Sequence, residues 1–496
     1  MTNISDLLHA ADAAAGERTA LVCEGERWSY AELWAAAGGA ARLFRDSGAQ
    51  YVALLDGNGA AGVIALFGAA VAGLPYAPLN YRRSDADLRA LVFRIAPAYL
   101  IVGDGHTAPP GATVIGSTTF VAAARQATPL HTHTGDGVAV QIFTSGTTGA
   151  PKAALLHHAH LLAYIAATAA PLPAAAHEGS LVSVPPYHVA NIVALLTAIN
   201  ARRRLILLPA FDTEAWLALA VAEAPTYAFL VPTMLARILD RIDDTAPLAS
   251  LTAISYGAGR MPADLLDRAL TRFPLVRFTN AYGLTETSAT ICSLSPEDHR
   301  TAHAATDPAI RARLRSAGRP LPGIDIAIRD AAGAPLPAGQ RGEVYARGAQ
   351  VSGLYHDRDA RDADGWFATR DLGWRDADGY LFLEGRADDV IVRGGENISP
   401  GEIEDALLAH PAIADACAVG LPSPEWGETI GVALVLHPGH AAPPDDAIRA
   451  HVRTRLRSSR VPERIAVLDT LPYNEIGKLL RREVRASPLL RSRETL

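Results

Sequence analysis

Apolar positions along the chain fall into two rhythms. Short unbroken apolar runs recur at 139–143 (AVQIF), 180–185 (SLVSVP), 204–209 (RLILLP), 227–232 (YAFLVP) and 251–255 (LTAIS). Longer stretches with helical spacing separate them. Strands buried on both faces and alternating with helices predict a mainly parallel, helix-covered sheet. The stretch 57–80 carries no charge, but it is mostly Ala and Gly, holds Pro75 and Pro78, and follows the strand-like YVALL. A spanning helix needs about 20 strongly apolar residues, so this stretch reads as a buried helix between two strands.

The rhythm changes twice. From Gly318 the chain is turn-rich with short strands about ten residues apart, which predicts a small antiparallel barrel or sheet. Near Gly385 it changes again. The residues 385–413 predict a strand, a Gly-Gly loop and a helix opened by Ser399, with Glu402 at capping-box spacing. Strand patterns at 416–422 and 429–436, a helix pattern at 445–457 and a strand pattern at 464–468 complete an α+β unit. The expected organisation is α/β: a large N-terminal domain, residues 1–386, with two parallel-type helix-covered sheets and a small β-barrel. A small α+β C-terminal domain, residues 387–496, follows, with the boundary near Asp388.

The 496 residues have room for such an arrangement. Apolar residues at 49% and charged ones at 20% fit a folded enzyme rather than a disordered chain. The net charge of −7 and the lack of a long Lys/Arg run argue against a nucleic-acid surface. The first residues lack a basic, apolar leader pattern. The three cysteines, Cys23, Cys292 and Cys417, are too few and too far apart for a disulfide framework or a CxxC metal site. The expectation is a reducing, cytoplasmic setting without stable membrane insertion. His157, His158 and His160 lack a nearby Cys or carboxylate partner and read as surface or capping groups rather than a metal cluster.

The sharpest chemical signal is 143–152, FTSGTTGAPK. It follows a strand pattern and precedes a long apolar helix pattern. Two glycines allow a tight turn of backbone N–H groups, four hydroxyls can donate to oxygens, and Lys152 adds charge; together these suit a phosphate. The spacing is not that of a Walker loop, because Lys152 follows Pro151.

The segment TSGTTGAPK resembles the signature of the adenylate-forming enzymes: acyl-CoA synthetases, adenylation domains and luciferases. Four further segments resemble that family in the same order: 280–286 (NAYGLTE), 369–371 (TRD), 385–389 (GRADD) and Gly477-Lys478. The resemblance implies ATP, Mg2+ and coenzyme A as cofactors, and a mobile C-terminal domain that pivots at Asp388. It assigns Thr144, Ser145, Gly146, Thr147, Thr148 and Lys152 to phosphates, with Thr144 and Glu286 at the metal. It places Asn280, Ala281 and Tyr282 at adenine and Thr285 beside Glu286. Asp371 and Arg386 go to the ribose, Lys478 to the reacting carboxylate and α-phosphate, and Gly394 and Gly395 to the pantetheine tunnel. The segment 472–478 departs from the commoner form, which has Ser/Thr before the Gly.

By the same resemblance, 187–191 (YHVAN) and 255–259 (SYGAG) are walls of the acyl pocket, with His188 gating it; Gly257, Ala258 and Gly259 are small and are also assigned to the nucleotide. Neither segment holds an Asp or Glu to pair with a substrate ammonium, so a non-amino carboxylic acid is expected. The reading is an AMP-forming acyl-CoA synthetase acting through an acyl-adenylate. The alternatives are loading of a carrier protein or stopping at the adenylate.

Overall fold

The computed structural model describes residues 1–110, 112–131, 137–144, 151–168, 173–242, 248–474 and 479–491. The chain divides into two compact units: Met1–Ile326 with Ala346–Phe367, and Ala327–Tyr345 with Ala368–Leu496.

The first unit is built on two sheets. One runs Arg319–Pro320, Ala289–Leu294, Arg277–Leu284, Ala253–Gly257, Tyr227–Leu230, Gly179–Val182, Arg204–Leu207, Thr19–Cys23, Glu26–Ser29. Its six inner strands are parallel, and antiparallel strands close both margins. The other runs Thr113–Gly116, Ala98–Val102, Tyr51–Leu55, Tyr76–Pro78, Val138–Thr144, Lys152–His157, antiparallel only at the last pair. The apolar runs at 139–143, 180–185, 204–209, 227–232 and 251–255 all become strands of these sheets.

The uncharged stretch after Tyr51–Leu55 forms the helix Ala60–Ala72, in which every residue after Ala60 is buried. Tyr76–Pro78 then returns as a parallel neighbour of Tyr51–Leu55. The helix is shielded from water by protein on all sides, which is why it needs no polar face. Among the described residues no helix is long and apolar enough to cross a membrane.

The second unit holds most of a four-stranded sheet ordered Ile324–Arg329, Gly342–Gly348, Phe367–Arg375, Leu381–Arg386. Of the barrel and sheet alternatives for this stretch, the strands make a sheet. The unit also holds a five-stranded sheet around the long hairpin Ile413–Ser423 and Gly427–Leu436. Ile391, Ile398, Ile403, Leu407, Ile430, Val432 and Leu434 form its core.

Three local expectations are corrected. Ser399 does precede the helix Pro400–Leu408, but no capping box forms. Its hydroxyl donates to the Glu384 carbonyl and Glu402 meets the Arg460 guanidinium, so tertiary partners take both halves of the box. His158 is buried rather than on the surface. Its Nδ1 accepts the Ile4 N–H at 3.2 Å and its Nε2 lies 3.3 Å from the Asn3 amide nitrogen. The helix expected over 445–457 stops at Arg453.

Candidate active site

In the first unit the strand Val138–Thr144 ends where the hydroxyl-rich loop begins, and Lys152–His157 carries the chain back beside it. Thr144 and Lys152 are register partners at the base of that loop. The loop residues Ser145, Gly146, Thr147 and Thr148 lie outside the described residues, as does Lys478.

Glu286 sits in the short turn Thr285–Thr287 after the strand Arg277–Leu284 and is buried. The Thr287 hydroxyl closes this turn: it accepts the Leu284 N–H at 2.9 Å and lies 2.7 Å from the Ala289 carbonyl. Gly283 is required just before it, since a Cβ there would stand 1.7 Å from the Ala289 carbonyl oxygen.

The segment 352–355 stitches this turn to the phosphate-loop strand. The Gly353 N–H donates to the Glu286 carbonyl and the Leu155 N–H to the Leu354 carbonyl, both at 2.9 Å. The Tyr355 phenol donates to Glu286 Oε1 at 2.7 Å. Lys152 Nζ stands 5.8 Å from the centre of the Tyr355 ring, within cation–π range, and Arg358 stands at 5.5 Å. Lys152 and Glu286, distant in sequence, thus share one neighbour.

The arrangement fits Mg2+. That ion takes hard oxygen ligands, commonly one or two carboxylates plus phosphate oxygens and waters. Among the described residues no group of three His, Cys, Asp or Glu forms a cage, and Glu286 offers a buried carboxylate that accepts at one oxygen from Tyr355, whose ring lies near Lys152. A soft or all-protein metal site would need a different donor set.

The other nucleotide-binding candidates of this unit cluster around neighbouring strand ends. Asn280 donates its amide to the Ser316 carbonyl at 3.0 Å. Gly257 and Ala281 pair across adjacent parallel strands, and Ala258 takes a left-handed φ of 64°. Beneath them Tyr256 is fully buried and its hydroxyl lies 2.8 Å from His299 Nε2, while His299 Nδ1 lies 2.8 Å from the Ser295 carbonyl. Ser295 can only accept there, so Nδ1 carries the proton and Nε2 accepts from the phenol. Burial pushes His299 down to about 4 and the Tyr256 phenol far up, so both are neutral.

His188 precedes the helix Val189–Asn200. Its ring packs 4.8 Å from that of Tyr187, which meets Tyr81 edge-on at 5.5 Å; Tyr81 in turn lies against His106. Asn191 is turned into the scaffold: its amide donates to Asn58 Oδ1 and the Val184 carbonyl, each at 2.7 Å. The motif YHVAN therefore mixes an aromatic surface with a structural amide.

In the second unit Asp371 and Arg386 are register partners on adjacent antiparallel strands. Arg386 Nε lies 2.9 Å from Asp371 Oδ1, and its Nη1 donates to the Thr369 carbonyl at 2.9 Å. Arg370 between them is held at a φ of 64°. Gly394 and Gly395 form the two-residue turn of the hairpin Ile391–Arg393 and Glu396–Ile398, at φ 58° and 80°. Two successive positive φ values are the hairpin geometry that favours glycine.

Arg481, three residues past Lys478, is largely buried and forks onto both oxygens of Glu404 in the helix Pro400–Leu408. Tyr473 donates to Asp415 Oδ2 at 2.8 Å. Sequence reading passed over Tyr355, Tyr81, Asn58 and Arg481. None lies in a recognisable motif, and the only available signal for Arg481 was its closeness to Gly477-Lys478.

Comparison with known proteins identifies the family. Residues 8–356 match the family model described as AMP-binding enzyme, and residues 402–478 match the AMP-binding enzyme C-terminal domain. The chain is 33% identical over 482 residues to a feruloyl-CoA synthase of Amycolatopsis sp., spanning 94% of this chain and 95% of that one. It is 30% identical to the fatty acid–[acyl-carrier-protein] ligase ScoC of Streptomyces coeruleorubidus, spanning 94% and 92%. Among solved structures it matches o-succinylbenzoate CoA synthetase of Bacillus subtilis in complex with its acyl-adenylate intermediate. That match has a TM-score of 0.84 at 28% identity and covers 97% of each chain. The same enzyme has also been solved with ATP and magnesium ion.

Proposed function

We infer, from the chain's membership of the AMP-binding enzyme family, that it is an AMP-forming acyl-CoA synthetase. A carboxylic acid attacks the α-phosphorus of ATP, pyrophosphate leaves, and the acyl-adenylate is then passed to the thiol of coenzyme A with release of AMP. The observation that carries this reading is the buried Glu286 carboxylate linked through Tyr355 to Lys152. It joins a hard-cation ligand to a phosphate-directed cation, as an in-line displacement between two anions requires.

In this reading Mg2+, when bound, neutralises phosphate charge. Glu286 and Thr144 would hold it. Thr144, Ser145, Gly146, Thr147, Thr148 and Lys152 receive phosphates. Asn280, Ala281, Tyr282, Gly257, Ala258 and Gly259 flank the base, with Thr285 beside Glu286. Asp371 accepts from ribose hydroxyls and Arg386, its partner, gives a cation there. Lys478 serves the adenylation step, Gly394 and Gly395 admit the pantetheine arm, and His188 borders the acyl site. The catalytic lysine belongs to a small domain, 387–496, following a large one, 1–386.

The substrate is a non-amino acid with an apolar, aromatic body. The absence of acidic residues in YHVAN and SYGAG supports this, as do the His188–Tyr187–Tyr81 rings. Feruloyl-CoA synthase and o-succinylbenzoate CoA synthetase are both named for aryl acids. Transfer to a carrier-protein thiol is a second reading, favoured by the similarity to ScoC. A cytoplasmic setting is supported by Cys23, Cys292 and Cys417, which are all buried and form no disulfide. The test is pyrophosphate release across a panel of aryl, aliphatic and amino acids, with and without CoA. An α-amino acid as best substrate would overturn the substrate class, and release indifferent to every acid would overturn the reaction.

A further inference from the structure

The geometry points to Tyr355 as a positioning residue that aims the Glu286 carboxylate at the metal and ties it to Lys152. This rests on the metal role given to Glu286 above. Tyr355 makes no claim on substrate itself; it acts through its neighbours.

Three observations converge. The phenol takes only one oxygen of the carboxylate, Oε1, and among the described residues no other donor is seen on Glu286. In this inference the second oxygen serves the cation while the phenol holds the first. The backbone around Tyr355 is pinned from both sides. Gly353 donates to the Glu286 carbonyl, while Ser352 Oγ donates to the Leu155 carbonyl and Tyr355 bridges to Ala154 in the phosphate-loop strand. Finally, the ring presents its face to Lys152 and Arg358. One side chain thus sets both the distance and the orientation of a carboxylate and a lysine that the chain places 134 residues apart.

A partner that orients a metal-binding carboxylate commonly costs 10–100-fold in metal affinity when removed. Tyr355→Phe deletes the phenol hydroxyl and keeps the ring, so it isolates the hydrogen bond from the cation–π contact. Mn2+ binding in the presence of a non-hydrolysable ATP analogue, read by electron paramagnetic resonance on the full chain, should weaken at least about tenfold. Affinity for the analogue without metal should hold within about twofold, because Lys152 keeps its ring neighbour. Thioester formation from supplied acyl-adenylate should also be unchanged, since that half-reaction does not use the metal. Tyr355→Leu should weaken metal-free nucleotide binding as well.

Mn2+ affinity within twofold of wild type in Tyr355→Phe would overturn the inference while the functional reading stood. Equal losses in both half-reactions would mark Tyr355 as a general scaffold residue and overturn it too. Wild-type protein that bound no Mn2+ with the analogue would remove the reading of Glu286 and this inference with it.

Discussion

Replacing Arg481 by methionine should destabilise the second unit by about 3 kcal/mol, the lower end of what breaking a buried ion pair costs. The structure sets the size. Glu404 is 7% exposed and Arg481 20%. The guanidinium donates to both Glu404 oxygens and to the Ala418 carbonyl at 3.0 Å. Its loss leaves a buried carboxylate whose remaining short contact, among the described residues, is the Ala418 N–H at 2.8 Å. Methionine keeps most of the aliphatic stem, so the loss falls on the charge and not on packing. Adding Glu404→Gln removes the stranded charge and keeps an acceptor for Ala418. The double variant should recover at least about 1.5 kcal/mol of the loss. The assay is native-state hydrogen exchange by mass spectrometry on the hairpin Ile413–Ser423 and Gly427–Leu436, which reads the free energy of this unit alone. A single-variant loss below about 1 kcal/mol, the range of an exposed pair, would refute the reasoning. So would a double variant less stable than the single one.

Lys478→Ala should lower acyl-adenylate formation at least about 100-fold, the size of one lost transition-state donor, and leave thioester formation from supplied acyl-adenylate intact; equal losses measured in single turnovers would refute its assignment. His299, held down at about 4 chiefly by burial, has a folded value below its ordinary one. Its contribution to stability is therefore present above about pH 6.5 and lost as pH falls toward 4. His299→Gln should flatten that part of the acid limb in urea melts between pH 7 and 4, and an unchanged slope would count against it. Arg370→Gly should raise stability by about 0.5–1 kcal/mol by relieving a left-handed φ on a side chain that is otherwise exposed. A lower melting temperature would show that the arginine is compensated.

Where neighbours along the chain decide the outcome, the sequence alone was sufficient. The buried helix Ala60–Ala72 between two strands followed from an uncharged Ala/Gly run after YVALL, because that composition has no polar face to offer water. The Gly394–Gly395 turn followed from two residues free to take positive φ. The order of the five motifs named the chemistry, since tight turns, hydroxyls and charges act at short spacing.

Tertiary structure decided everything that depends on which distant segments meet. Ser399 and Glu402 carry a complete local capping signal, yet the Glu384 carbonyl and Arg460 take them instead. His158 resembled a surface histidine until Asn3 and Ile4 covered it. The contact between Tyr355 and Glu286 spans 69 residues and that between Arg481 and Glu404 spans 77. No periodicity or local spacing encodes such pairs. A buried charge or hydroxyl must find whichever partner the packed strands bring within hydrogen-bond reach, and only the order of strands in the sheets determines which partner that is.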